Sequence, residues 1–187
     1  MTRAQREALV LDTAARLFYA RGVHEVGMDE LVQATGLGKA TVYRLYPGKD
    51  DLVAAYLSRL AGTILAAIDA EITRNAGDPA AALLAILDAI EADLRRPGFR
   101  GCAFNNASIE YDDPAHPARA QARGYREALR DRLTGLAAQL GPSAGRGLGG
   151  QLAVLVDGAY TSAAHLGSDG PAADGLRLAR HLIRERS

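Results

Sequence analysis

The chain has 187 residues, long enough to bury a real core, with 48% hydrophobic residues and only 5% aromatic ones. That balance favours close-packed helices over a β-sandwich, which needs more β-branched and aromatic side chains. Its 22 basic and 22 acidic residues cancel, so bulk charge argues neither for nor against nucleic acid and any basic surface must be local.

Cys102 is the single cysteine, which excludes an intrachain disulfide and a cysteine-based metal cluster. No apolar core with a small-residue cleavage site follows the N-terminus, so no signal peptide is expected. No run approaches eighteen uninterrupted apolar residues, so no membrane span and a cytoplasmic location are expected.

The first helix is predicted over residues 3–20, with Val10, Ala14, Leu17 and Phe18 on one face and Gly22 as its stop. A short helix at 28–35 buries Met28, Leu31 and Val32, and Gly36 breaks it. A third, at 39–45, ends near Pro47-Gly48, a pair that cannot continue a helix. Two short helices joined by a turn carrying Gly36 form the helix-turn-helix pattern.

A long fourth helix opens near Lys49, with Asp50 and Asp51 where the helix dipole favours acids, and carries Leu52, Tyr56, Leu60, Ile64 and Ile68. Leu83, Leu87, Ile90 and Leu94 define a fifth, closed by Pro97-Gly98, and residues 102–111 a short sixth. The seventh carries Leu129, Leu133, Leu136 and Leu140 and ends at Gly141-Pro142. The eighth carries Leu148, Leu152, Leu155, Ala159 and Leu166, and the ninth Leu176, Ala179 and Ile183. Nine helices and no credible strand predict an all-α protein, with a three-helix head over residues 1–48 and a larger helical body over 49–187. The fourth helix joins the two and is a natural lever between them.

The stretch VLDTAARLFYARGVHEVGMDELVQATGLGKATVYRLYPGKDDL resembles the N-terminal signature of the TetR family of bacterial transcriptional regulators. The matching positions are Leu11, Ala14, Leu17, Phe18, Gly22, Leu31, Gly36, Lys39, Thr41, Tyr43, Tyr46, Pro47, Lys49 and Leu52. GCAFNNASIEYDDPAHPARAQAR and LAVLVDGA resemble one subgroup of the family's C-terminal domains. The resemblance implies a nine-helix homodimeric repressor that binds an operator in double-stranded DNA and is released by a small organic effector. Activation, a redox response through Cys102, and a helical protein without DNA-binding function are the alternatives. Two departures stand out. Val26 and Gly27 lie where the family usually has Thr or Ser, and Gly38 where it usually has Ser, so capping hydroxyls are missing from both short helices.

The expected DNA-reading residues are Lys39, Thr41, Tyr43, Arg44, Leu45 and Lys49. Arg44 can reach a guanine edge or a phosphate, Thr41 a base, and Leu45 a thymine methyl. The resemblance gives Tyr43 a phosphate contact. Both lysines of a chain with twenty arginines, Lys39 and Lys49, fall in this segment. Arg3 and Arg6 either reach the flanking backbone or lie on a plain exposed helix face. Through residue 60, eight basic and seven acidic side chains leave a net charge of +1, so affinity must come from orientation and paired heads.

The body carries no defensible catalytic constellation, and neither a cofactor nor a metal is implied. Asp112, Asp113 and His116 read as a polar turn around Pro114 and Pro117. An effector is expected between helices five to eight, with Phe104, Asn105, Tyr111, Tyr125, Tyr160 and His165 as candidate contacts. Cys102, near Arg95, Arg96 and Arg100, sits where a thiol can be activated, although a quiet buried cysteine is the simpler reading. The dimer is expected through helices eight and nine, using Leu148, Leu152, Leu155, Val156, Ala159, Ala163, Leu176, Ala179 and Ile183.

Overall fold

A computed structural model describes residues 1–141 and 146–186; Pro142, expected at the end of the seventh helix, lies outside them. Among the described residues there are nine helices and no strand: α1 (Arg3–Arg21), α2 (Met28–Thr35), α3 (Lys39–Leu45), α4 (Lys49–Arg74), α5 (Pro79–Leu94), α6 (Ala103–Ile109), α7 (Pro117–Gln139), α8 (Leu148–Leu166) and α9 (Pro171–Arg184). The chain forms two compact units, one of residues 1–62 with 103–124, the other of 63–102 with 125–186. The boundaries fall inside α4 and α7. The unit that holds the first three helices thus extends past residue 48 to take in half of α4, all of α6 and the start of α7.

In the first unit α1 is fixed at its start by a capping box. Thr2 Oγ1 accepts the Gln5 N–H at 3.2 Å, and Gln5 Oε1 accepts the Thr2 N–H at 2.8 Å. Its buried face holds Val10, Ala14, Leu17 and Phe18. Leu31 of α2, Val42 of α3 and Leu52, Val53, Tyr56 and Leu57 of α4 are also fully or almost fully buried. Each such aliphatic side chain contributes roughly 1.5–3 kcal/mol on leaving water. Met28 and Val32, expected as buried, are only half-buried because α2 is two turns long and turns mainly Leu31 and Thr35 inward.

The second unit is organised around α8 and α9, which pair closely and pack against α5. Its core takes Leu83, Ile86 and Leu87 from α5, Leu133 and Leu136 from α7, Leu148, Leu152 and Val156 from α8, and Leu176 and Ile183 from α9. Gly149 is required where α8 meets α7, since a Cβ there would fall 2.5 Å from Thr134 Cα. Arg180 ties α9 to α5 through Asp88 at 2.7 Å and Glu91, and Arg132 ties α7 to α4 through both oxygens of Asp69 at 2.7 and 2.8 Å.

This core corrects the dimer surface expected from sequence. Leu148, Leu152, Val156, Ala159, Ala163, Leu176, Ala179 and Ile183 are at most 7% exposed within the single chain, so they are not available to a second copy. Leu155 is half-buried. The buried face of α8 is Leu148, Leu152, Val156, Ala159 and Ala163, packed among residues of the chain's own α5, α7 and α9, and Leu166, placed on the stripe from sequence, falls outside it. On α8 and α9 the large apolar side chains left outside are Val154 (71% exposed), Leu166 (68%) and Leu178 (48%).

α4 is, by length and composition alone, long and apolar enough to cross a membrane, which the sequence expectation did not anticipate. Part of its apolar surface is used in the cores: Leu52, Val53, Tyr56 and Leu57 lie in the first unit's and Ile68 in the second's.

Candidate nucleic-acid interface

α2 ends at Gly36, whose φ of 67° is the left-handed conformation that glycine adopts without steric cost. Only Leu37 and Gly38 separate Gly36 from α3, so the turn is as short as a helix-turn-helix requires. Gly27 and Gly38 are the N-caps of α2 and α3, and neither helix has a side-chain cap. A Cβ at either glycine would meet nothing within 4 Å, so space does not explain the missing hydroxyls. Val26 is fully buried and serves the core.

Val42 anchors α3, and the rest of the helix is turned outward to varying degrees. Arg44, Lys39 and Ala40 are exposed; Thr41, Tyr43 and Leu45 are half-buried. Arg44 makes no ion pair among the described residues. Lys39 is held at 2.7 Å by Asp29 Oδ1 and lies 5.6 Å from the Tyr43 ring centroid, so its ammonium already has an acidic partner and an aromatic face. The Asp29 carboxylate raises the Lys39 ammonium above its ordinary range, which keeps it cationic.

Lys49 opens α4 and is half-buried. Asp50 and Asp51 follow it, and Asp51 Oδ2 accepts the Gly48 N–H at 3.1 Å. These carboxylates offset the positive end of the helix dipole, so a phosphate here would answer to the Lys49 ammonium more than to bare backbone N–H groups. Lys49 Nζ donates to the His24 carbonyl at 3.3 Å, which steers the side chain along the α1–α2 loop. Thus α3 and the start of α4 present Lys39, Arg44 and Lys49 within one compact unit. Arg3 is paired with Glu7 at 2.9 Å on an exposed face, and Arg6 is half-buried.

The expected effector contacts separate. Phe104 is 1% exposed, a core side chain of the first unit. Asn105 is half-buried in the same unit, and His165 is exposed in the last turn of α8. Tyr111 lies between two imidazoles. Its ring stacks on His116 at 3.5 Å and meets His24 at 5.4 Å, and its hydroxyl points to Asp50 Oδ1 at 3.5 Å. Burial, with Asp50 and Glu110 behind it, pushes this phenol up to about 12.

Only Tyr125 and Tyr160 come together, in the second unit. Tyr160 donates to Asp93 Oδ2 at 2.8 Å and meets the Phe99 ring at 5.9 Å. Burial raises both phenols well above their ordinary range, Cys102 adds to the effect on Tyr125 and Asp93 to that on Tyr160, so both stay protonated donors. Cys102 is half-buried and immediately precedes α6.

Sequence reasoning missed Glu110, the first residue past α6. Its carboxylate accepts the backbone N–H groups of Val23 (2.8 Å) and His24 (2.6 Å) from 87 and 86 positions away. Nothing in local periodicity announces a contact at that separation.

Residues 10–56 match the family model of bacterial regulatory proteins, TetR family. The crystal structure of a TetR-family transcriptional regulator from Streptomyces coelicolor is 35% identical, covers 98% of this chain and 97% of its own, and superposes with a TM-score of 0.91. A TetR-type regulator from Streptomyces avermitilis is 28% identical over 97% of both chains, with a TM-score of 0.77. Among curated sequences, the transcriptional activator FasR of Mycolicibacterium smegmatis is 28% identical over 137 residues, 72% of this chain and 61% of FasR. An HTH-type regulator of Mycobacterium tuberculosis is 40% identical over 50 residues, 27% of this chain but only 25% of that protein.

Proposed function

Because the chain belongs to the TetR family of regulators, we propose that it is a homodimeric repressor that leaves a near-palindromic operator when a small organic effector binds. The observation that carries the DNA-binding part is α3. It is anchored by one buried valine and otherwise outward, with Arg44 unpaired among the described residues, inside the segment that matches the family model. In this reading α3 enters the major groove, Arg44 and Thr41 read base edges, Leu45 contacts a thymine methyl, and Tyr43, Lys39 and Lys49 take phosphates. Lys39 exchanges Asp29 for phosphate on binding. The protein works in the cytoplasm, without a membrane, a cofactor or a catalytic step.

The dimer forms through the outer faces of α8 and α9, using Val154, Leu166 and Leu178 with the half-buried Leu155. Gly158 supports this. It lies one turn after Val154, is exposed, and has open space where its Cβ would be, so nothing in its own chain calls for a glycine that weakens a helix by about 1 kcal/mol. Close approach of a second helix supplies the reason. Two-fold symmetry then sets two α3 helices on one face of the duplex, about 34–36 Å apart.

The effector is a neutral or weakly polar compound held in the region of Tyr125 and Tyr160. Since α4 and α7 each run from one unit into the other, a ligand preferring one arrangement of the body biases the head. The same head on a promoter could instead activate, as the name of the FasR relative records for that protein. A reporter carrying the upstream region decides the sign: deletion of the regulator raises expression under repression and lowers it under activation.

Gel-shift titration of the DNA upstream of the gene tests the interface. Lys49→Ala is expected to weaken all sequences alike and to reduce the slope of log affinity against log salt by about 1. Arg44→Ala is expected to lose about 1–3 kcal/mol on the preferred site and to relax preference at one base pair. Equal losses for both variants on specific and unrelated DNA would move the reading surface elsewhere.

A further inference from the structure

The segment after α6 returns to the helix-turn-helix head, within the first unit, and grips it at two places. Glu110 Oε1 accepts the Val23 N–H at 2.8 Å; Oε2 accepts the His24 N–H at 2.6 Å and lies 2.9 Å from His24 Nδ1. Gly22 makes room for this, since a Cβ there would stand 3.2 Å from Glu110 Oε1. The other end of the His24 residue, its carbonyl, is held by Lys49 Nζ at 3.3 Å. One loop residue is therefore clamped between a carboxylate that follows α6 and the lysine that opens α4. Tyr111, next in sequence, makes the second contact, to Asp50 at 3.5 Å.

We infer that Glu110 is a positioning residue for DNA binding: by fixing the Val23–His24 backbone it fixes the carbonyl that aims Lys49 toward phosphate. This rests on the DNA-binding reading given above. Only a carboxylate suits the position. Two adjacent N–H groups each need an acceptor, and a glutamine offers one carbonyl oxygen and turns its NH₂ against the second donor. Burial pushes the Glu110 carboxyl up, but the Val23 and His24 N–H groups and the His24 ring outweigh it and leave the group below its ordinary value, hence ionised.

The test uses the full chain and a labelled duplex of the DNA upstream of its gene, with Glu110→Gln, Glu110→Asp, Lys49→Ala and the Glu110→Gln/Lys49→Ala double variant. Glu110→Gln and the shortened Glu110→Asp should each weaken binding about tenfold. The double variant should bind no more weakly than Lys49→Ala alone, because residues acting through one another are not additive. Amide exchange at Val23 and His24 should rise about tenfold in Glu110→Gln while the α8 and α9 amides exchange as in the wild type, which separates loss of the grip from unfolding. Multiplying losses in the double variant, or unchanged exchange at Val23 and His24, would overturn the inference while leaving the DNA-binding reading intact. A wild-type chain that binds no DNA would overturn both.

Discussion

Leu152→Arg is expected to abolish cooperative folding of the second unit. Leu152 is fully buried among residues of α5, α7 and α9. An arginine there loses the leucine's packing and brings a charge with no partner into the core, a change that costs upwards of about 4 kcal/mol in a domain whose total stability is about 5–15 kcal/mol. Thermal and urea unfolding followed by circular dichroism reads this directly: the main transition should disappear or begin at ambient temperature. A folded variant melting within a few degrees of the wild type would mean that the face of α8 assigned to the chain's own core points elsewhere.

Val154→Arg, two residues further along the same helix, is expected to do the opposite. Val154 is 71% exposed in the single chain, so the substitution should change the stability of the isolated fold by no more than about 0.5 kcal/mol. In a dimer through the outer face of α8 it sets like charges against each other across the two-fold axis and strips them of water. Sedimentation should show a folded monomer, or loss of folding together with dimer loss if no stable monomer exists. Operator affinity should fall about a hundredfold or more, since one head no longer raises the local concentration of the other. Leu155→Arg is a poorer probe because Leu155 is half-buried and reports on both faces. A Val154→Arg protein that stays dimeric and binds normally would put the interface elsewhere.

The contrast between these two residues marks where the sequence was legible. Helix positions were, because Gly22, Gly36, Pro47-Gly48 and Pro97-Gly98 interrupt the chain and the 3.6-residue spacing of leucines spans the gaps between them. The head was most legible of all, since its short helices and its turn glycine follow a recurrent motif. The direction of the α8 stripe was not. Leu148, Leu152, Val156, Ala159 and Ala163 make one apolar face, Val154 and Leu166 fall outside it, and periodicity alone does not say which meets the chain's own α5 and which a second copy. Broad apolar faces carry that ambiguity by nature.

Within the candidate site, Lys39, Arg44 and Lys49 could be named from sequence, but their circumstances could not. That Asp29 holds Lys39, or that Glu110 holds the loop to which Lys49 is bonded, depends on tertiary contacts. Tyr111 illustrates the same limit. As a tyrosine beside a polar turn it reads as a ligand contact, yet its ring is stacked on His116 and its hydroxyl faces the start of α4.

Footprinting on the DNA upstream of the gene, across a series of salt concentrations, tests DNA recognition by a symmetric pair of heads most directly. The expected result is saturable protection of one site with two related halves about one helical turn apart, weakening steeply as salt rises and lost in Val154→Arg. Protection that is absent, or that shows no preference among sequences at any salt concentration, would contradict it.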